Sequence, residues 1–86
     1  MNDPFAKFRE LLDSQYEWPA AFTFKFIAPV EQDALVRNAL PAGEITTRLS
    51  ATQKYISFTI LTWITSTDQV IRVYEEMGRI EGVISL

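Results

Sequence analysis

Two segments of this chain carry large apolar side chains at every second position, and this alternation limits the fold more than any other feature. The first segment, Ala21–Ile27, places three aromatic rings on one side: Phe22, Phe24 and Phe26. The second, Tyr55–Ile64, does the same with four residues: Ile56, Phe58, Ile60 and Ile64. A period of two is typical of strands that bury one face. We therefore predict two half-buried strands at the centre of a sheet.

The patterns between and after these strands complete an α+β order. Residues 31–40 and 66–78 carry apolar side chains at helical spacing. Ser66 and Gln69 form a capping box at the start of the second helix, and Gly78 is expected to end it in the left-handed conformation. Residues 45–49 predict a more polar strand, and residues 80–86 predict a last one. The order predicts a ferredoxin-like βαββαβ two-layer sandwich, with a four-stranded antiparallel sheet and two helices on one face.

Residues 1–19 predict a helical arm that precedes a single domain over 20–86. Asp3 stands before Pro4, which is a common start for a helix. Apolar residues then follow at helical spacing: Phe5, Phe8, Leu11 and Leu12. Proline at position 19 forces Trp18 out of helical geometry. We expect the apolar side of this arm to pack on its own domain or on another chain.

The composition argues against most enzymatic chemistry. The chain contains neither cysteine nor histidine. It therefore lacks thiolate nucleophiles, Ser-His and Cys-His pairs, and the usual ligands of zinc and iron. Neighbouring Glu75 and Glu76 diverge by about 100° around a helix, so they do not converge on one ion. We predict a non-enzymatic protein with no metal site and no cofactor.

Charge and hydropathy exclude two further classes of partner. The net charge of −3 gives no bulk attraction to nucleic acid. Residues 54–58 also lack the glycine and the paired same-face aromatics that RNA-recognition modules carry on their third strand. No apolar run approaches the roughly 20 residues that span a bilayer. We predict no nucleic-acid partner, no membrane partner and a cytoplasmic location.

The sheet face away from the helices is predicted to carry a set of polar residues. Lys25 and Arg48 offer positive charge there, and Thr59 offers a hydroxyl group, so the three are candidate binding residues for a small anion or a partner. The alternative is a solvated face on which threonine is simply a good strand former.

Leu61 and Trp63 are candidate interface residues, because they fall on the same helix-free face. One interpretation is that the N-terminal arm covers them, and another is that a second copy does so in a homo-oligomer. A third is that Trp63 lies beyond the sheet, in the connection to the last helix.

Three groups of residues resemble the YbeD-like family of small uncharacterised bacterial proteins. The first begins at Trp18-Pro19, the second is Lys54-Tyr55-Ile56-Ser57, and the third runs from Tyr74 to Leu86. That family looks like the ACT domains, which bind amino acids beside metabolic enzymes. The resemblance implies a fold but no catalytic residues. It leaves Ile27-Ala28-Pro29-Val30 without the glycine near which ACT domains hold their ligand.

These observations predict a regulatory or adaptor module that acts through contacts with an unidentified protein partner. The alternatives are an ACT-like domain that senses an amino acid or metabolite, and a structural subunit of a homo-oligomer. A sensor is expected to gain thermal stability with its ligand, whereas an adaptor is expected to retain a partner.

Overall fold

The two alternating segments form adjacent central strands of a four-stranded antiparallel sheet in the computed structural model, which describes residues 3–86. The strands are β1 (Ala20–Pro29), β2 (Glu44–Leu49), β3 (Tyr55–Ile64) and β4 (Ile84–Ser85). The helices are α1 (Ala6–Gln15), α2 (Asp33–Ala39) and α3 (Thr67–Gly78). The spatial order β2-β3-β1-β4 agrees with the ferredoxin-like sandwich, and the predicted fold class is confirmed. The first two residues of the predicted arm lie outside the described residues.

The core lies between the sheet and the helices. β1 and β3 pair over their full lengths, from Ala20 opposite Ile64 to Pro29 opposite Tyr55. Every second side chain of these strands is buried, and several are fully buried: Phe24, Phe26, Phe58 and Ile60. The predicted apolar face of α3 closes the core with Val70, Val73 and Met77. Each such side chain contributes roughly 1.5–3 kcal/mol to folding through its removal from water.

The last strand is shorter than predicted. The pattern over 80–86 predicts a strand throughout, but only Ile84 and Ser85 pair with β1. Gly82 has a φ of +84°, a conformation that glycine adopts without strain and that turns the chain before β4. Gly78 does not end α3 in the left-handed conformation, and Arg79 follows it in right-handed helical geometry. The left-handed glycine therefore lies four residues beyond the predicted one.

The first helix of the domain is also shorter than predicted. A 3₁₀ turn, Val30–Gln32, precedes α2, and α2 itself has seven residues. Seven residues make fewer than two turns, so the buried stripe is narrow. Val36 is fully buried, whereas Leu35, another of the apolar residues in the predicted helix 31–40, is exposed.

β1 continues two residues beyond the predicted segment Ala21–Ile27, through Ala28 and Pro29. Pro29 is the last residue of the strand and lies opposite Tyr55. Proline lacks a backbone N–H, and at the end of a strand this missing donor costs little.

The N-terminal arm packs on α3 of its own domain. The Trp18 indole N–H donates to the Thr67 hydroxyl oxygen at 2.8 Å, and that hydroxyl donates to the Asp13 carboxylate at 2.5 Å. Arg9 forms an ion pair with Asp68 near the first turn of the same helix. The arm thus lies on the helical side of the sheet.

Candidate interaction surface

The sheet face that carries no helix, called the open face here, is built from the odd-numbered residues of β1 and β3 and the even-numbered residues of β2. Cross-strand pairing arranges these residues in rows. One row joins Lys25, Thr59 and Thr46. The next joins Ile27, Ser57 and Arg48. The strand alternation predicted this shared face, because side chains two residues apart point the same way.

The three candidate binding residues occupy adjacent rows of the open face without converging on one point. Lys25 lies directly opposite Thr59, and Arg48 lies one row further on, two strands away from Lys25. Neighbouring strands are about 4.8 Å apart, so the backbones of the two cations are roughly 10 Å apart across the sheet. This spread suits an extended partner better than one small anion. Binding by these residues stays a prediction.

The candidate interface residues lie at the other end of the open face. Trp63 pairs with Ala21, inside β3, so the interpretation that placed it in the connection beyond the sheet is wrong. Its side chain is 64% exposed, and that of Leu61 is 46% exposed. Small or short neighbours flank them, with Ala21 beside Trp63 and Thr23 beside Leu61.

The arm does not cover this exposed apolar pair, so the interpretation that it does, one of those considered, is wrong. Trp18 of the arm stacks instead on Tyr16, with ring centroids 5.0 Å apart. Phe8 meets Tyr74 of α3 edge to face at 5.4 Å. Both contacts lie on the helical side, because Trp18 also packs on Phe22 of the buried face of β1 and Tyr74 belongs to α3. Coverage by a second copy stays a prediction.

The C-terminal segment adds apolar side chains to the open face that sequence reasoning missed. Ile84 lies opposite Ile27, and the backbone N–H of Leu86 donates to the Lys25 carbonyl at 2.9 Å. Both side chains are exposed. Their alternation with Ser85 was the available signal, but the strand was predicted to begin four residues too early.

A groove of about 340 Å³ indents the open face at the end away from Trp63. Its walls include the guanidinium-bearing Arg48, the Tyr55 ring, the Ser57 hydroxyl and the apolar side chain of Ile27. The Ser57 hydroxyl donates to the Arg48 carbonyl at 3.3 Å, which ties β3 to β2 beneath the groove.

A second cavity, of about 360 Å³, lies on the helical side between the end of β3 and α3. Several of its polar groups already have partners within the chain. The Thr62 hydroxyl donates to the Ala42 carbonyl at 2.6 Å, and the Gln69 side-chain oxygen accepts the Thr65 N–H at 2.9 Å. These contacts stabilise the fold, so the open face remains the stronger candidate surface.

Comparison with known proteins identifies the relatives of this chain. Residues 13–86 match the model of a family described as "Protein of unknown function (DUF493)". The chain belongs to this family. The matched span includes the last residues of the arm as well as the domain. The family resemblance predicted from the sequence is confirmed.

Curated relatives of the DUF493 chain carry the name UPF0250 protein. Those of Shewanella putrefaciens and Shewanella loihica are each 34% identical to it over 84 residues, which cover 90% of this chain and 91% of the relative. That of Shewanella oneidensis is 34% identical over 85 residues with the same coverage. No solved structure matches the chain. The family is one of small bacterial proteins of unknown function.

Within residues 3–86, no helix has both the length and the apolar content needed to cross a lipid bilayer.

Proposed function

We propose that this DUF493-family chain is a non-enzymatic regulatory or adaptor module, which docks a cytoplasmic protein partner on its open face. The main support is the exposure of two large apolar side chains on this face. Trp63 and Leu61 are 64% and 46% exposed on a central strand whose opposite side is fully packed. Large exposed apolar side chains on a rigid scaffold mark interaction sites, and tryptophan is enriched among the residues that dominate binding energy.

The charges on the same face support a protein partner. Lys25 lies in the row with Thr59, and Arg48 lies in the next row. Their positive charges would attract acidic side chains of the partner. The net charge of −3 argues against nucleic acid, whose backbone is recognised mainly by excess positive charge. The absence of cysteine and histidine argues against most nucleophilic and metal-assisted catalysis.

Site-specific photocrosslinking in the native cell tests this proposal. A benzophenone amino acid is placed at Trp63 in one variant and at Glu75, an exposed residue on α3, in a matched control. The proposal predicts a discrete crosslinked adduct from position 63 and none from position 75. Adding Lys25→Glu to the position 63 variant should reduce the adduct severalfold, because it removes the complementary charge.

Two results would contradict docking on the open face. One is equal crosslinking from both positions, since it would indicate random encounters. The other is that position 63 gives no adduct while the protein is folded and expressed at its natural level.

A second candidate function is the sensing of an amino acid or a related carboxylate. The observation that favours it is the 340 Å³ groove, because Arg48 and Ser57 offer a charged donor and a hydroxyl group beside an aromatic ring. A sensor should show a higher melting temperature with one compound of an amino acid panel, and Arg48→Ala should abolish that increase. A panel that leaves the melting temperature unchanged would remove this candidate.

A further inference from the structure

β2 forms one edge of the sheet and has few of the features that protect edge strands. All six of its residues, Glu44–Leu49, are exposed on both faces of the sheet. Among residues 3–86 no strand pairs with its outer side, which presents a row of backbone N–H and C=O groups. It contains neither proline nor lysine, which natural proteins often place on edges to prevent pairing. The opposite edge, β4, is only two residues long and offers little to pair with.

Two opposite charges on β2 have no partner within the described residues. Glu44 and Arg48 both project on the open face, and neither takes part in any of the ion pairs found there. Along a strand, residues four positions apart are roughly 13 Å apart, so the two side chains do not pair with each other. Their cross-strand neighbours on β3 are uncharged, with Leu61 opposite Glu44 and Ser57 opposite Arg48.

We propose that β2 pairs with β2 of a second copy of this chain, antiparallel and about a two-fold axis through Thr46. In that arrangement Glu44 of each copy lies directly opposite Arg48 of the other, on the same face of the joined sheet. The two unpaired charges of one chain become two cross-strand ion pairs in the dimer. The two four-stranded sheets join into one of eight strands.

Geometry and charge select this register. A two-fold axis between two residues would place an open-face side chain opposite one from the helical face, which pleated strands do not allow. An axis through Thr47 is allowed and sets Ile45 opposite Leu49, but it leaves Glu44 opposite Ser50 and Arg48 opposite Thr46. The Thr46 register alone satisfies both charges at once, because it places them directly opposite each other.

The size of the contact predicts a weak, reversible dimer. One strand edge buries less than the roughly 1,200–2,000 Å² of a stable interface, so we expect a Kd in the micromolar to millimolar range. The proposed pairing uses Arg48 but leaves Trp63 and Lys25 of the open face exposed, so docking of another protein at these two residues does not compete with dimer formation.

Charge reversal with compensation tests the register. Sedimentation equilibrium measures the Kd of the purified chain and of three variants: Glu44→Arg, Arg48→Glu, and the double variant with both changes. Each single reversal places like charges opposite each other twice in the dimer and should raise the Kd at least about tenfold. The double variant exchanges the charges and should restore the Kd to within about threefold of the original.

Matched controls distinguish the loss of the ion pairs between the two β2 strands from an effect of the chain's net charge. Glu75→Arg and Arg72→Glu make the same changes at exposed positions of α3, away from the edge, and should leave the Kd unchanged. Because Glu44 and Arg48 are exposed, all variants should keep the melting temperature of the parent.

Three results would overturn the proposal. They are a monomer at every concentration up to about 1 mM, a dimer that the single reversals do not weaken, and a double variant that stays as weak as the single ones. None of these bears on docking at Trp63, so the two proposals fail independently. The double variant also separates dimer formation from ligand sensing, because it restores the ion pairs but removes the guanidinium from the groove.

Discussion

Gly43 precedes β2 at a point where the backbone runs very close to β3. A methyl group added to this residue would lie 2.3 Å from the Leu61 carbonyl oxygen, which is part of the sheet backbone and moves little. Gly78 is different, because an added methyl group there would meet nothing within 4 Å. Position 43 therefore has no room for a side chain, whereas position 78 has.

We predict opposite effects of alanine at these two positions. Gly43→Ala should lower the free energy of unfolding by roughly 1–3 kcal/mol, because the strands must move apart. Gly78→Ala should raise it by roughly 0.5–1 kcal/mol, because alanine favours the helix. Urea unfolding measures both. Equal effects of the two changes would contradict the close approach of Gly43 to β3.

The buried phenol of Tyr74 should make the free energy of unfolding fall at alkaline pH. Burial raises the pKa of its phenol above the ordinary value, and the nearby Tyr16 adds to the rise. The unfolded chain then releases this proton first, once the pH exceeds about 10. The contribution to stability is therefore complete below that pH and is lost as the pH rises through the higher folded pKa.

Tyr74→Phe should remove the part of the alkaline loss of stability that comes from this phenol. It keeps the ring contacts with Phe8 and Phe24. Urea unfolding at several pH values between about 8 and 11 measures the effect, with Tyr55→Phe at an exposed tyrosine as the control. If Tyr74→Phe loses stability with pH as steeply as the parent, the buried phenol is not the cause.

At the scale of elements, one threonine of α3 forms two of the hydrogen bonds that attach the arm. The Thr67 hydroxyl accepts from Trp18 and donates to Asp13, so it joins the last turn of α1 and the residue before Pro19 to the first turn of α3. It is one of the few polar side chains that are buried.

Thr67→Val keeps the shape of the side chain but removes both hydrogen bonds. We expect a loss of roughly 1–2 kcal/mol in the free energy of unfolding, because a partly buried indole N–H is left without its acceptor. Thr65→Val, at an exposed position just before α3, should change it by less than about 0.5 kcal/mol. Faster hydrogen exchange in α1 of the Thr67 variant would show that the arm has loosened, and unchanged exchange would contradict this account.

The elements that the sequence predicted well are those with a strong local signal. The alternation of phenylalanines in β1 and isoleucines in β3 has no helical alternative. The start of α3 was predicted because Ser66 has the capping side chain, and its hydroxyl oxygen accepts the Gln69 N–H at 3.3 Å.

The elements that were predicted poorly depend on contacts between distant residues. α3 ends at Gly78 as predicted, but the left-handed glycine is Gly82, in the turn that brings β4 alongside β1. The side on which the arm docks depends on Trp18 meeting Thr67, far along the chain. Strand alternation was enough to predict that Lys25, Arg48 and Thr59 share one face. The exposure of Ile84 and Leu86 could not be predicted, because it depends on the register of β4.

At the scale of the whole molecule, one side of the sheet stabilises the fold and the other remains available. The helices and the arm cover the aromatic core, and no described element covers Trp63 and Leu61. The edge formed by β2 is a separate surface with its own charges. This division allows one domain to pair with a copy of itself and to hold another protein at the same time.

Quenching of tryptophan fluorescence by acrylamide measures whether the open face is exposed in solution. Trp18→Phe leaves Trp63 as the single tryptophan, and Trp63→Phe leaves Trp18. We predict that Trp63 in the purified protein is quenched nearly as strongly as a free tryptophan derivative, whereas Trp18, stacked on Tyr16 beside α3, is protected. If Trp63 is protected as well as Trp18, the open face is covered and the account is contradicted.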